Sequence, residues 1–429
     1  MRIRFLLTLI TALFSGCTSG AATTPTAQPT PTPTETAAAS VTAASATPTA
    51  ITINTPLRLV IWLPEPLNPA DNAETNALLD EQLSEFENAN PEVEVDWRLK
   101  RVEDVGGIIA TLRTASAVAP GALPDLTLLR RSDLLLAVQL GLVQPLEGRA
   151  SSAILGDLYD AALHLGQVNG ELYAIPYMLE TQHLVYRPPL ALQGWSFADV
   201  LSREVPFVFP AGRANGVNDV FLVQYLSALP DDDLSAIANG ELPINEDALL
   251  TVFSFYEQAV ASSVVTPSVL DLSTPIDYAT YLGEGTVLVN STAFLALEAR
   301  GEELAFAPIP TLSGADTTML DGWMWVMTTS SADRQTHALQ LINWMMDAQR
   351  HGDYSDAVHM VPSQRTTLRR WENVGYGDFI DSLLSHAYLP LSESAATRAR
   401  AMQNALGSVL LGQRTAVEAT QDVMDQLSG

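Results

Sequence analysis

The chain has 429 residues, 47% of them apolar, which is enough to bury two ordinary domain cores or one large one. Its 49 acidic and 22 basic side chains give a net charge of −27, which argues against nucleic acid and anionic lipid headgroups as partners. A single cysteine excludes an internal disulfide and a thiolate metal cluster, so stability has to come from packing.

The first sixteen residues predict a secretory signal peptide. Arg2 and Arg4 form a short positive segment, and the apolar stretch FLLTLITALF follows. That stretch is shorter than the roughly 20 residues that cross a bilayer. Ser15 and Gly16 precede Cys17 directly, which resembles a bacterial lipobox, where the signal is cut before the cysteine and its thiol carries lipid. We expect lipidation at Cys17; the alternative is an ordinary signal peptide with an incidental cysteine.

Residues 17–56 predict a tether rather than a domain. After the cysteine they are mostly Thr, Ala and Pro, with almost no charge and no aromatic residue. Such a segment cannot bury enough apolar surface to fold and favours extended conformations. A lipid and a tether together would keep a folded domain near a membrane while leaving it free to turn. The folded part is predicted to begin near Leu57.

Strand and helix patterns alternate from residue 57 onward. Buried strands are predicted at 57–63, 92–99 and 124–129, and helices at 76–90, 104–117 and 133–143, the last of them capped by Ser132. This order predicts parallel strands joined by right-handed crossovers. Ligands bind beyond the carboxyl ends of such strands, which points to the loops at 64–68 and 130–133.

The stretch NGELYAIPYMLETQHLVYRP, residues 169–188, is the most informative one. Pro176 has no N–H and disfavours one long central strand. We therefore expect a short strand that ends at Ile175, an irregular link, and a second strand that ends at Tyr186. This arrangement is typical of a chain that crosses from one domain to another. Farther on, helical patterns cover 331–350 and 395–428, and TAVE at 415–418 predicts a capping box.

A collinear set of segments covers residues 57–429: LVIW, FENANPEVEV, PDLTLL…GLVQPL, NGELYAIPY…LVYRP, GWSFADV, GTVLVNST, AFAPIP, DGWMWVM and AMQNALGSVLLGQRTAVEATQDVMDQL. This set resembles the extracellular solute-binding proteins of bacterial ABC importers, in the branch that contains maltose-binding proteins. The resemblance implies an α/β, two-lobed periplasmic-binding-protein-like fold with a three-segment hinge. The crossings would lie near 175–180, 305–310 and 358–362. Lobe I would combine residues 57–176 and 311–358, and lobe II residues 177–310 and 359–429.

Signatures of catalysis are missing from the sequence. It contains no G-x-S-x-G, H-E-x-x-H, P-loop or G-x-G-x-x-G motif, and its six histidines are scattered without metal-site spacing. We expect no catalytic residue, no metal and no cofactor. Carboxylates are abundant, which leaves a surface glycoside hydrolase as one alternative.

A sugar cleft needs carboxylates, which form charge-assisted hydrogen bonds to hydroxyls, and aromatic faces, which cover C–H surfaces. By the resemblance, Glu180 at the first crossing is the leading ligand contact; otherwise it is a solvated hinge residue. Tyr177 would support a sugar ring or lie in the core. Arg131, Ser132 and Asp133 occupy the loop after the third strand, where the family binds hydroxyls.

Further candidates come from the later segments. Asn290 matches a family asparagine at the cleft edge, and Trp323 matches a tryptophan that stacks on ligand in several sugar-binding relatives, with Asp321 replacing a glycine before it. Alternation along a strand lets only one of Trp323 and its neighbour face the cleft, and a buried core position is the other interpretation. Glu65 is a candidate from the loop after the first strand. Arg365 resembles the family's P-x-R arginine, or forms a hinge ion pair.

The resemblance implies a lipid-anchored, extracytoplasmic receptor in the cell envelope. It would capture a small solute, most simply a sugar or oligosaccharide, by closing two lobes, and deliver it as a monomer to the permease subunits of an ABC importer. Three stacking positions of maltose binders are lost, which disfavours maltose itself. A polyamine or peptide ligand, suited to acidic cleft loops, and a sensor that presents its ligand to a membrane receptor remain alternatives.

Overall fold

The computed structural model describes residues 55–428 apart from 69–71, 103–105, 189–193, 214–215, 239–241, 273–280, 284 and 392–394. Residues Asn54–Gly429 form one compact unit. The predicted signal peptide, Cys17 and nearly all of the tether lie outside the described residues.

The described strands form one main sheet and a small hairpin. They are β1 (Leu57–Pro64), β2 (Val93–Lys100), β3 (Leu126–Leu129), β4 (Gln167–Val168), β5 (Glu171–Leu172), β6 (Ala174–Tyr186), β7 (Phe207–Val208), β8 (Thr286–Asn290), β9 (Ala305–Ala307), β10 (Leu320–Met327) and β11 (Val361–Pro362). The sheet order is β2-β1-β3-β10-β6-β8-β7, and β9 and β11 also pair with β6. Because β1 pairs in parallel with both β2 and β3, the predicted parallel start is confirmed.

The five predicted helical stretches all contain helix, with shifted ends, but 331–350 and 395–428 each divide into two helices, and the other described helices were not predicted. They are α1 (Ala73–Ala89), α2 (Ile108–Val118), α3 (Arg131–Gln139), α4 (Ser152–Asp157), α5 (Asp160–Leu165), α6 (Phe197–Arg203), α7 (Asp219–Ser227), α8 (Asp231–Ala238), α9 (Glu246–Ala261), α10 (Ser291–Ala299), α11 (Ala332–Met345), α12 (Ala348–Ala357), α13 (Arg365–Leu368), α14 (Val374–Ser385), α15 (Ala396–Leu410) and α16 (Ala416–Ser428). The predicted capping box is confirmed: Thr415 and Glu418 each accept a hydrogen bond from the other's backbone N–H.

One helix start was predicted wrongly. Ser132 lies inside α3, and Arg130 occupies the N-cap position, without a capping bond from its side chain. The helix begins almost directly after β3, so Ser132 already has helical neighbours on both sides and cannot serve as the cap.

The expectation of two strands around Pro176 was also wrong, because β6 is one strand of 13 residues. Trp323 of β10 is paired with Met178, but the next residue, Met324, is paired with Pro176. Tyr177 is therefore the extra residue of a β-bulge. The bulge accommodates the proline inside a long strand, since it breaks the regular pairing at the place where an N–H is missing.

The bulge also changes which side chains share a face. Ile175, Tyr177 and Met178 all pack in one core, whereas Leu179 packs in another. Without the extra residue, strict alternation would put Tyr177 and Met178 on opposite faces. After the bulge, alternation places Glu180 on the same face as Met178.

Strand β6 runs through all three hydrophobic cores. The first core contains Leu59, Ile61, Phe86, Trp323, Trp325, Ile342 and Tyr354. The second contains Leu184, Phe221, Phe253, Tyr256, Met319, Met402 and Leu406. The third contains Trp62, Leu129, Val185, Val289, Phe294, Met324 and Tyr376. The polar stretch of β6 at residues 180–183 lies between its contributions to the first and second cores.

Candidate functional site

A cavity of about 530 Å³ opens along the polar stretch of β6. Its polar lining consists of Arg130, Ser132, Glu180, Gln182, Arg213, Asp219, Asn290 and Asp321. Its apolar lining consists of Val217, Leu222, Met319, Pro390, Leu391, Ala395, Ala396 and Ala399. Among the described residues that line the cavity, none is aromatic. Hydrogen-bonding groups and aliphatic surface therefore meet in one space.

Strand pairing brings two carboxylates together. Asp321 of β10 lies directly opposite Glu180 of β6 in the antiparallel register. Residues that are opposite in such a pair have Cβ atoms about 4.5–5.5 Å apart, and like charges there are destabilising. The backbones also approach closely at the next residue, because a Cβ added to Gly322 would lie 2.3 Å from the Met178 carbonyl oxygen. A cation is needed to stabilise this arrangement.

Arg130 supplies that cation. It directly follows β3, which pairs with β10, and its guanidinium forms ion pairs with Glu180 Oε2 and with Asp321 Oδ2, the latter at 3.2 Å. The same guanidinium lies 5.2 Å from the centroid of the Trp323 ring. We name Arg130, Glu180 and Asp321 the charged cluster.

The other carboxylate oxygen of Glu180 faces a helix start. Thr292 Oγ1 donates to Glu180 Oε1 at 3.2 Å, and Asn290 Nδ2 lies 3.4 Å from the same oxygen. Asn290 Oδ1 accepts a hydrogen bond from the Ala293 N–H and so caps α10. Both oxygens of Glu180 thus have partners, and the side chain is held in one place.

A second polar group lies farther along β6. Gln182 donates from Nε2 to Asp219 Oδ2 at 2.9 Å, and Arg213 lies 3.9 Å from the other Asp219 oxygen. The Oε1 atom of Gln182 is buried without a hydrogen-bond partner. A buried acceptor without a partner costs free energy, so it is a natural position for a ligand hydroxyl. A smaller cavity of about 140 Å³ shares Gln182, Arg213, Asp219 and Asn290 with the main one.

Four of the predicted ligand-binding residues line the cavity: Ser132, Glu180, Asn290 and Asp321. The other six are absent from its described lining: Glu65, Arg131, Asp133, Tyr177, Trp323 and Arg365. The aromatic and cationic members of this second set have structural contacts elsewhere, described next.

The two aromatic candidates lie in the first core. The Tyr177 ring stacks on His351 at a centroid distance of 4.9 Å, and burial raises the pKa of Tyr177 well above its ordinary value. Trp323 is 2% exposed. Because Arg130 packs on the Trp323 ring and itself lines the cavity, the site presents a guanidinium where we predicted an indole.

The remaining candidates are held at the surface or in backbone contacts. Arg131 donates to the Leu165 carbonyl at 2.8 Å and to the Gln167 carbonyl. Burial lowers the pKa of Arg131, and the nearby Asp321 opposes this shift. Asp133 lies in the first turn of α3, and Glu65 is exposed in a short 3-10 turn, Glu65–Leu67.

Arg365 serves a structural contact. Its guanidinium donates to the Leu158 carbonyl and lies 4.7 Å from the Tyr159 ring centroid. It also lies 3.5 Å from the exposed carboxylate of Asp160, which matches the ion-pair alternative rather than a place in the cavity.

Sequence reasoning missed Arg130, Gln182, Arg213 and Asp219. The loop at 130–133 was predicted, but the chosen residues began one position too late. Arg130 could have been predicted from the sequence, because it is a basic residue that directly follows a buried strand. No local pattern distinguished Gln182, Arg213 or Asp219, because strand pairing and helix packing bring them together from separate parts of the chain.

Metal-binding clusters and membrane-spanning helices are both missing from the described residues. In the part of the chain that the structure describes, no group of three or more His, Cys, Asp or Glu side chains could hold a metal ion. Within the same residues, no helix combines the length and apolar character needed to cross a bilayer.

Solved structures with the same architecture define the fold class. The cyclic α-maltosyl-1,6-maltose binding protein of Arthrobacter globiformis aligns with a TM-score of 0.68 and 14% identity, covering 87% of this chain and 98% of that chain. The ligand-free maltodextrin-binding protein MalE1 of L. casei BL23 aligns at 0.67 and 13%, covering 87% and 99%. The sugar-binding protein MalE of Xanthomonas citri aligns at 0.65 and 16%, covering 86% and 95%. The chain therefore has the two-lobed periplasmic-binding-protein fold, in which a three-segment hinge joins the lobes.

The family follows from the sequence itself. The profile of bacterial extracellular solute-binding proteins matches residues 81–367, about two thirds of the chain. This chain belongs to that family, so the predicted family and its extracytoplasmic location are confirmed. No curated protein matches the sequence.

Proposed function

We propose that this protein captures a carbohydrate in the cavity along β6 and delivers it to an ABC-type importer. The observation that supports this proposal is the composition of the cavity. Carboxylate and amide groups on β6, β8 and β10 line it together with aliphatic side chains. The polar groups suit neutral hydroxyls through charge-assisted hydrogen bonds. The aliphatic surface suits the C–H faces of a sugar ring. The three structures compared above are named for binding sugars, which favours the same ligand class here.

Capture by lobe closure is the mechanism we propose. The segments predicted as crossings correspond to β6, β9 and β11, and both short strands pair with β6. Lobe I then comprises residues 57–176 and 311–358, and lobe II residues 177–310 and 359–429. Met319, inside the segment predicted for lobe I, packs in the second core with lobe II residues, which favours moving this boundary from residue 310 toward the start of β10. Ligand would shift the open–closed equilibrium by its differential affinity for the closed state.

Binding is tested with a panel of mono- and oligosaccharides that includes maltose, maltotriose and cyclic maltosides. We expect at least one carbohydrate to raise the melting temperature, because a ligand at 100 times its Kd adds about 2.7 kcal/mol of stability. The bound sugar should be recovered chemically unchanged, since we propose no hydrolysis. No shift with any member would contradict the proposed ligand class, and a cleaved product would contradict the proposed role.

Anchoring through Cys17 is a separate part of the proposal. The sequence pattern around Cys17 and the tether that follows support it. We expect a Cys17→Ser chain, expressed in a bacterial host, to lose labelling by a radioactive or alkyne-bearing fatty acid. Equal labelling of both chains would contradict anchoring and would leave the binding proposal untouched.

A polyamine is the second candidate ligand. One observation favours it: the cavity is lined by three carboxylates, Glu180, Asp219 and Asp321, against two guanidiniums. Affinity measured at increasing salt separates the two classes, because binding of a cation weakens with salt and binding of a neutral sugar does not.

A further inference from the structure

Within the charged cluster, Glu180 and Asp321 form a site for a cation, and the side chain of Arg130 occupies it. Glu180 and Asp321 lie directly opposite each other on β6 and β10. The Arg130 guanidinium contacts one carboxylate oxygen of each. Two neighbouring carboxylates that line a cavity can form charge-assisted hydrogen bonds to an ammonium or guanidinium group. Arg130 fills this place from the end of β3.

No other basic residue in the described lining of the cavity forms an ion pair with Glu180 or Asp321. The other basic residue there is Arg213, which lies 3.9 Å from Asp219, the carboxylate that Gln182 contacts. Among the described residues Glu180 therefore has Arg130 as its ion-pair partner, and Asp321 has Arg130 together with a Coulombic contribution from Arg131, whose guanidinium is held by the Leu165 and Gln167 carbonyls. The contact of Arg130 with the Trp323 ring adds a cation–π interaction that fixes the guanidinium on this face of the sheet.

We propose that Arg130 determines the charge of the ligand: its guanidinium occupies the place between Glu180 and Asp321, so it keeps other cations out and leaves the cavity to a neutral polyhydroxyl compound. This inference rests on the proposed function and specifies it further. Arg130 acts as a specificity-determining and positioning residue, because its effect passes through the two carboxylates. The polar atoms that remain for a neutral ligand include Gln182 Oε1, which is buried without a partner.

The consequence is a change of specificity when Arg130 is removed. In Arg130→Gln, Glu180 and Asp321 keep their register on paired strands but lose their internal cation. A ligand with two or more ammonium groups can then take its place. Arg130→Lys keeps a positive charge and should keep the exclusion. A merely structural role for Arg130 predicts a loss of stability and no gain of a new ligand class.

The experiment compares spermidine binding by the full mature chain and its variants, measured by titration calorimetry and by melting temperature. We expect spermidine binding by Arg130→Gln to be at least about tenfold tighter than by wild type, with strong salt dependence. The double variant Arg130→Gln with Asp321→Asn should lose this gain. Arg187→Gln is the matched control, because it changes net charge equally at an exposed pair with Glu302 that is absent from the described cavity lining.

The test remains valid if Arg130→Gln is less stable than wild type. Spermidine binding is read as a rise in melting temperature, which a destabilised variant still reports, and Arg130→Met offers a second substitution without charge. Spermidine affinity that is equal in wild type, Arg130→Gln and Arg130→Met overturns the inference. So does a gain of the same size in Arg187→Gln.

The two proposals fail in different ways. If wild type binds no carbohydrate but Arg130→Gln still gains spermidine, the proposed function fails and the role of Arg130 stands. If wild type binds a carbohydrate and spermidine equally well, the proposed function stands and the role of Arg130 is wrong. Tight spermidine binding by wild type without any carbohydrate overturns both.

Discussion

The charged cluster and the apolar lining belong to the same cavity, but different interactions hold their residues in position. Arg130, Glu180 and Asp321 lie on or directly beyond three adjacent strands, so backbone pairing sets their positions. The apolar lining comes largely from helix and loop residues such as Leu222, Leu391 and Ala399, whose positions depend on packing in the second core. The positions of the charged cluster are therefore sensitive to strand register, and those of the apolar lining to side-chain volume.

The largest effect is expected from Gly322, which lies beside the charged cluster on β10. In Gly322→Ala the new Cβ would lie 2.3 Å from the Met178 carbonyl oxygen, so the two strands would have to separate. We expect a loss of about 3 kcal/mol in the free energy of unfolding and loss of carbohydrate binding. Denaturant unfolding followed by circular dichroism measures the first.

Gly407→Ala is the matched control. Gly407 lies inside α15, and an added Cβ would meet no atom within 4 Å. Because alanine favours a helix interior, this change should raise stability by about 0.5–1 kcal/mol. If both substitutions change stability equally, close strand approach is not what holds the charged cluster.

The next largest effect is a dependence of stability on pH. It arises in the part of β6 between the cavity and the second core. His183 is fully buried, with Nε2 2.9 Å from the Tyr376 hydroxyl, and burial lowers its pKa to about 4. Since the unfolded pKa is about 6.5, the folded state binds fewer protons between these values. The contribution of His183 to stability is complete above pH 6.5 and should fall by up to about 3 kcal/mol as pH drops to 4, and buried His351, whose pKa is also lowered, adds in the same direction.

Unfolding measured from pH 7 to pH 4 checks this expectation. The His183→Gln chain should show a shallower pH dependence than wild type, whereas His337→Gln, on the outer part of α11, should match wild type. A wild-type slope that persists unchanged in His183→Gln would assign the pH dependence to other groups.

A smaller effect is expected from the charged cluster itself. Glu180→Gln keeps the shape of the side chain and its contact with Thr292 but removes the charge. Hydrogen bonds to charged groups exceed neutral ones by about 1–1.5 kcal/mol, so carbohydrate affinity should fall about tenfold. Titration calorimetry with the tightest carbohydrate measures it. Glu302→Gln, at the exposed pair with Arg187, should leave affinity unchanged; equal loss in both would place the ligand elsewhere.

The smallest effect is expected from the apolar lining. Leu391→Ala removes about 30–40 Å² of apolar contact with ligand, which corresponds to about 1 kcal/mol or a fivefold loss of affinity. Leu411→Ala is the control, because Leu411 is 51% exposed just beyond α15. A loss larger than that of Glu180→Gln would reverse the comparison and make the apolar lining the main source of affinity.

Much of the fold could be predicted because it depends on local patterns. Alternating apolar runs gave the parallel order of β1, β2 and β3, and the sequence of Thr415 to Glu418 gave a helix cap. The rule that ligands bind beyond strand ends located the loop of Arg130, since this rule follows from topology alone. Glu180 was chosen by resemblance, and it lines the cavity.

Local patterns in the amino-acid sequence predicted the early alternation of strands and helices, the C-terminal capping box, the family and the segment that contributes Glu180. Strand pairing in the folded chain makes Tyr177 a bulge residue and consequently sets Glu180 opposite Asp321, and it leaves Arg130 rather than Trp323 facing the cavity. The physical reason is distance along the chain. Register, bulges and ion pairs join residues that are tens to nearly two hundred positions apart, and no local pattern specifies which of them meet.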